Sequence, residues 1–69
     1  MERITGKLLN GELGCILVDS QNTIICKVDP GDIDITDLEE ESVTVEGSYT
    51  SEMFLLKTKV LKADSIVKS

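Results

Sequence analysis

Histidine is absent from the 69 residues, and only Tyr49 and Phe54 carry an aromatic ring. Without an imidazole there is no histidine general base and no histidine-centred nucleophilic triad, so catalysis of those kinds is excluded. Cys15 and Cys26 are the only cysteines. Two thiols without histidine cannot complete a tetrahedral zinc site in one chain unless carboxylates fill the remaining positions, and no structural zinc is expected. No apolar run approaches the roughly 20 residues of a membrane helix. The opening "MERITGKLLNGE" lacks the apolar segment of a secretory signal, so no membrane association and a cytoplasmic location are expected. Internal repeats and low-complexity stretches are also missing.

A chain this short makes one domain, 1–69, with room for a single core. It buries only about 60% of its unfolded surface, so most of its apolar side chains must serve that core. Charge is unevenly spread: residues 1–9 carry a net +1, residues 10–52 a net −10 and residues 53–69 a net +3. If the terminal strands lie side by side, one flank is basic and the other acidic. Ordinary surface charge for solubility is the simpler alternative. Asp32, Asp34, Asp37 and Glu39 to Glu41 form one acidic run. Alternating carboxylates offer hard oxygens to a divalent cation, but the run lacks the ligand spacing of an EF-hand. It is read as a solvated segment, with neither a metal nor a cofactor expected.

What is present alternates. Ile4 and Leu8 share one face of a first strand, Arg3 to Leu9, with Gly6 on that face as a bend or close backbone approach. Asn10-Gly11 is a turn signal, Cys15 to Asp19 a second strand, and Ile24 to Val28 a third. Asp29-Pro30-Gly31-Asp32 breaks the pattern with turn chemistry. Thr36 and Glu39 have the spacing of a capping box, which favours a short helix over an acidic loop, with Leu38 able to plug a barrel end. Val43, Val45 and Gly47 make a fourth strand. A short polar turn then leads into a last strand with Phe54, Leu56, Thr58 and Val60.

The thiols lie on strands two and three, which should pair. A two-residue turn at Ser20-Gln21 would set them directly opposite, close enough for a bridge, and a register one residue longer would set Cys26 opposite Ile16. Free thiols are expected, one of them a small core residue.

The string "ITGKLLN … CILVDSQNTIICKV … ESVTVEGSYTSEMFLLKTKVLKA" resembles the nucleic-acid-binding OB-fold group that includes the anticodon-binding domains of tRNA synthetases. The similarity rests on Gly6 in the first strand, Asp19 ending the second, Ile24 opening the third, Val43-Val45-Gly47, and Leu56-Thr58-Val60. The usual glycine after the second strand is replaced within Ser20-Gln21-Asn22, and stacking aromatics are scarce. The haem chaperones that share this barrel attach haem through a histidine, so that role is excluded. The resemblance implies an all-β, five-stranded OB-type Greek-key barrel with a short helix or loop between strands three and four. It also implies a non-catalytic module that binds single-stranded nucleic acid.

Such modules combine stacking rings with a basic groove on the middle strands and their flanking loops. Tyr49, read as ending the fourth strand beside a flanking loop, is the best stacking candidate, with a half-buried rim position as the alternative. Phe54 falls in the aliphatic alternation and is read as core. Lys57 and Lys59 share one face of the last strand and could meet phosphates alongside Lys7 and Arg3, although lysines also guard strand edges. Lys27 is the only cation on the middle strands. The competing reading is a protein-docking module. There Leu17 and Ile25, turned outward from Ile16, Val18 and Ile24, would form an apolar patch for a partner. A homodimer through a strand edge is also open.

Overall fold

The chain folds as five strands and one 3-10 turn in a computed structural model that describes all residues but 13, 56 and 57, with the side chains of residues 52–57 also outside the description. The strands are β1 (Glu2–Gly11), β2 (Gly14–Val18), β3 (Ile24–Asp29), β4 (Ser42–Leu55) and β5 (Thr58–Lys68). They close into a barrel in the order β1-β2-β3-β5-β4, with β4 pairing back to β1. All neighbours are antiparallel except β3 and β5, which run parallel from Lys27–Val60 to Asp29–Lys62. This closed, mixed, all-β barrel is consistent with an OB-like fold. No helix among the described residues is long and apolar enough to cross a membrane.

The core follows from the alternation along β1 and β4. Leu8, Val43 and Val45 are fully buried, with Ile4 packed against them from one turn of the pleat away. Fully burying an aliphatic side chain of this size stabilises by about 1.5–3 kcal/mol. Facing strands contribute Cys15, Leu17, Cys26, Val28, Leu61 and Ile66. Ile33, Ile35 and Leu38 close one end of the barrel from the connection between β3 and β4. That connection contains only a single 3-10 turn, Thr36–Leu38, and no side chain caps it. Asp34 instead accepts the Thr36 amide at 2.9 Å, which holds its carboxyl below the usual range. The connection is stitched to β1 where β4 leaves off: the Glu40 amide donates to the Leu8 carbonyl at 2.6 Å and the Leu8 amide to that of Glu41 at 3.0 Å.

Four expectations are corrected. First, β1 and β5 are not neighbours, because β4 lies between them, so the terminal cations do not form one flank. Second, β4 does not turn after Ser48. It continues to Leu55 through register shifts after Tyr49 and Met53, and β5 begins at Thr58. Third, the β2–β3 register is neither of the two expected, since Cys26 faces Leu17 and Lys27 faces Ile16. The turn is wider than two residues: Asp19 accepts the amides of Gln21 and Thr23 at 2.9 Å, and Asn22 takes the left-handed backbone at φ 63°. A bulge then sets two residues of β3 against Val18. Fourth, Ile16 and Ile24 are only half-buried whereas Leu17 is fully buried. The expected core positions Phe54 and Leu56 lie outside the described side chains.

Both thiols are free and buried. Burial pushes each from 9.0 up to about 11, with the neighbouring Cys26 and Glu39 charges adding to the effect at Cys15. The unfolded chain then loses these protons at lower pH than the folded one. Their contribution to stability is complete below about pH 9 and declines as pH rises towards 11. Urea midpoints should therefore be lower at pH 10.5 than at pH 8. In native protein at neutral pH, iodoacetamide should leave both thiols unmodified, and in denaturant without reductant it should label both. Mass spectrometry reads the difference, and a single bridge blocking both would contradict it.

Candidate functional site

Alternation about the buried positions sets which side chains face out of the barrel. On β1 the residue after Leu8 is Leu9, on β2 the residue between Cys15 and Leu17 is Ile16, and on β3 the residue before Val28 is Lys27. Register places these in one row with Val60 of β5: Leu9 pairs with Ile16, Ile16 with Lys27, and Lys27 with Val60. Leu9, Ile16 and Lys27 are half-buried and Val60 is almost covered. A shallow depression lined by Leu9, Asn10, Gly11, Glu12, Gly14 and Ile16 continues the row towards the β1–β2 turn. The Lys27 side chain reaches across β2, with its Cε 3.3 Å and its Nζ 3.5 Å from where a Cβ on Gly14 would sit. Gly14 holds φ +89°, a backbone that suits glycine.

The candidate cations separate into three places. Arg3 pairs with Glu46 across β1 and β4, at 3.5 Å between two exposed side chains, which partly neutralises it. Lys7 stands opposite Ser42 on β4, whereas Lys59 stands opposite Met53 on the same strand. Ser42 opens β4 and Met53 stands near its close, so Lys7 and Lys59 occupy different ends of β4. Lys57 lies outside the described residues.

Lys59 does find Tyr49. Its ammonium lies over the ring at 5.3 Å from the centroid, within cation–π range. Tyr49 is 36% exposed and faces Leu61 across the β4–β5 ladder, on the inward alternation of Val43, Val45 and Gly47. It is therefore a rim tyrosine in mid-strand, not the last residue before a loop. Burial raises its hydroxyl above the ordinary range, and the charges of Cys26 and Glu2 add to the shift. Lys62, which sequence reasoning did not single out, lies on β5 opposite Ser48 on one side and Asp29 on the other. The signal for it was its place three residues beyond Lys59 in the basic C-terminal segment. Of the cations near Tyr49 in register, Lys59 shares the alternation of Leu61 and Tyr49, whereas Lys62 and Lys27 share that of Val60 and stand on the other face of the sheet.

Of the two apolar docking candidates, Leu17 is fully buried and cannot meet a partner. Ile25 is 36% exposed, but its Cδ1 sits 3.1 Å from the Cβ position of Gly6, so it already packs against β1. On β1 and β2 the half-buried outward apolar residues are Leu9 and Ile16, the latter one position from the expected Leu17. No group of three or more His, Cys, Asp or Glu among the described residues is arranged to hold a metal ion. No family model, curated protein or solved structure matches the chain.

Proposed function

We propose that the protein is a non-catalytic OB-type binding module that takes single-stranded nucleic acid weakly at the β4–β5 rim around Tyr49. One observation carries the reading: the Tyr49 ring, 36% exposed, lies under the Lys59 ammonium at 5.3 Å. A base can stack against such a ring while a phosphate meets the lysine, a combination that tolerates any sequence. The barrel order and the resemblance to the nucleic-acid-binding OB group support the same class of ligand. Lys7 and Arg3 have no part in this site.

The expected result is micromolar or weaker binding of mixed-sequence strands that falls as salt rises through counterion release. Changing Lys59 to glutamate should abolish it, while Lys7→Glu, at the other end of β4, should change it less than about twofold beyond its effect on net charge. Fluorescence anisotropy reads both, with circular dichroism confirming the fold. Equal losses from the two variants would show that only overall charge matters.

A second reading has its own observation. Leu9 and Ile16 are half-buried side by side on the outer face of β1 and β2 with Lys27 next in register, an apolar strip that suits a protein partner. Under that reading Ile16→Asp breaks capture of a partner and Lys59→Glu leaves it intact.

A further inference from the structure

The chain has two asparagines, Asn10 followed by Gly11 and Asn22 followed by Thr23. An asparagine side chain is open to attack by the backbone nitrogen of the next residue. Glycine, with no Cβ, hinders that attack least and leaves the backbone freest to reach it. Asn10 and Gly11 are both exposed, and a Cβ on Gly11 would meet no atom within 4 Å. Gly11 pairs with Gly14 as the last rung of the β1–β2 ladder, so freeing its amide opens only the hairpin tip, where strand ends fray at little cost. Asn22 is exposed too, but its neighbour differs. Thr23 is β-branched, and the Asp19 carboxylate holds its amide at 2.9 Å.

From this contrast we infer that Asn10-Gly11 is a site of spontaneous deamidation whose product loosens the β3–β4 connection from the β1–β2 hairpin. The Gly11 nitrogen bonds to the Asn10 Cγ, the Cγ–Nδ2 bond breaks, and ammonia leaves with the proton of the Gly11 amide, closing a succinimide ring. Solvent water then opens the ring. Opening at Cγ gives aspartate, and opening at the Asn10 main-chain carbonyl gives isoaspartate, which lengthens the main chain by one carbon. The rate rises with pH because the attacking amide must give up its proton.

Glu39 feels the product directly. The Asn10 Nδ2 donates to the Glu39 Oε1 at 3.0 Å, a side-chain link between the hairpin and the acidic connection. Deamidation replaces that donor with a second carboxylate, so a hydrogen bond becomes a repulsion between like charges. Beside it, the Glu40 amide donates to the Leu8 carbonyl and the Leu8 amide to that of Glu41. These backbone bonds open more often once Glu39 is repelled.

The test incubates the intact protein, folded and in urea, near neutral pH at about 37 °C, and follows the amide-to-acid change at each asparagine by fragment-resolved mass spectrometry. Asn10 of the folded protein should convert within about tenfold of its rate in the unfolded chain, and Asn22 at least about tenfold more slowly than Asn10. Asn10 still intact once the unfolded chain has converted, or both asparagines converting together, would overturn the site. Hydrogen exchange of Asn10→Asp reads the consequence: protection of the Glu40 amide should fall about two- to fivefold, and adding Glu39→Gln should restore it. Unchanged protection in Asn10→Asp would overturn the loosening while leaving the chemistry at Asn10 in place.

Discussion

Replacing Gly47 with valine is expected to destabilise the barrel by on the order of 3 kcal/mol or more, enough to leave a large unfolded fraction in a domain of this size. A Cβ at this position would collide with the Lys62 carbonyl oxygen, with the Lys62 carbonyl carbon at 2.9 Å and the Ala63 Cα at 3.0 Å. These are backbone atoms of the paired strand, so no rotamer change relieves the contact. The register shifts at this point: Glu46 pairs with Ser65 and Gly47 with Ala63, leaving Asp64 as an extra residue on β5. The bulge brings the two backbones together where only glycine fits. Alanine should cost nearly as much as valine, because the first added carbon is the one that clashes. Urea denaturation of both variants checks this, and a Gly47→Ala protein as stable as the parent would contradict the close approach.

Leu17→Asp should prevent folding altogether. Leu17 is fully buried between Leu8 and Cys26 of the neighbouring strands, both of them core residues. Losing its burial costs about 2–5 kcal/mol, and an unpaired charge or a neutralised acid in the same place costs several more. The adjacent change Ile16→Asp, on the outward side of the same strand, should cost no more than about 1–2 kcal/mol. The contrast, read by circular dichroism and chemical denaturation, decides which face of β2 is inside. A folded Leu17→Asp protein would reverse the assignment and restore Leu17 as a docking residue.

That assignment illustrates which parts of the fold were legible in the sequence. Alternation with polar residues located the inward face of β1 through Ile4 and Leu8, and that of β4 through Val43 and Val45. In "CILV" every residue is apolar, so period two carries no phase: Val18 is buried as expected, but Ile16 is only half-buried while Cys15 and Leu17 are buried. Bulges hid more. On β5, Leu61 and Ala63 face the core at odd positions and Ile66 at an even one, because the extra residue Asp64 resets the alternation. A strict period of two ends the strand near Val60 and misses Leu61 and Ile66 altogether. "SYTSE" reads as a polar turn, yet it continues β4 with two register shifts. Exposed strand and exposed turn share a composition there.

The candidate site was legible residue by residue but not as a group. Tyr49 and Lys59 were identified from type and position, and the fold brings them into contact. Lys7 and Arg3 were grouped with them on the assumption that first and last strands are neighbours. Barrel order decides that question, and it depends on long-range pairing that no local pattern encodes. The outward pair Leu9 and Ile16 was missed for the same reason that Leu17 was misplaced.

The account stands most directly on a chemical-shift map of labelled protein titrated with a mixed-sequence single strand at about 50 mM salt and again at about 200 mM. Salt-sensitive shifts concentrated at Tyr49 and Lys59 are expected, with Lys7 and Arg3 unmoved. Absence of any shift at the lower salt, or shifts centred on Lys7 and Arg3, would contradict it.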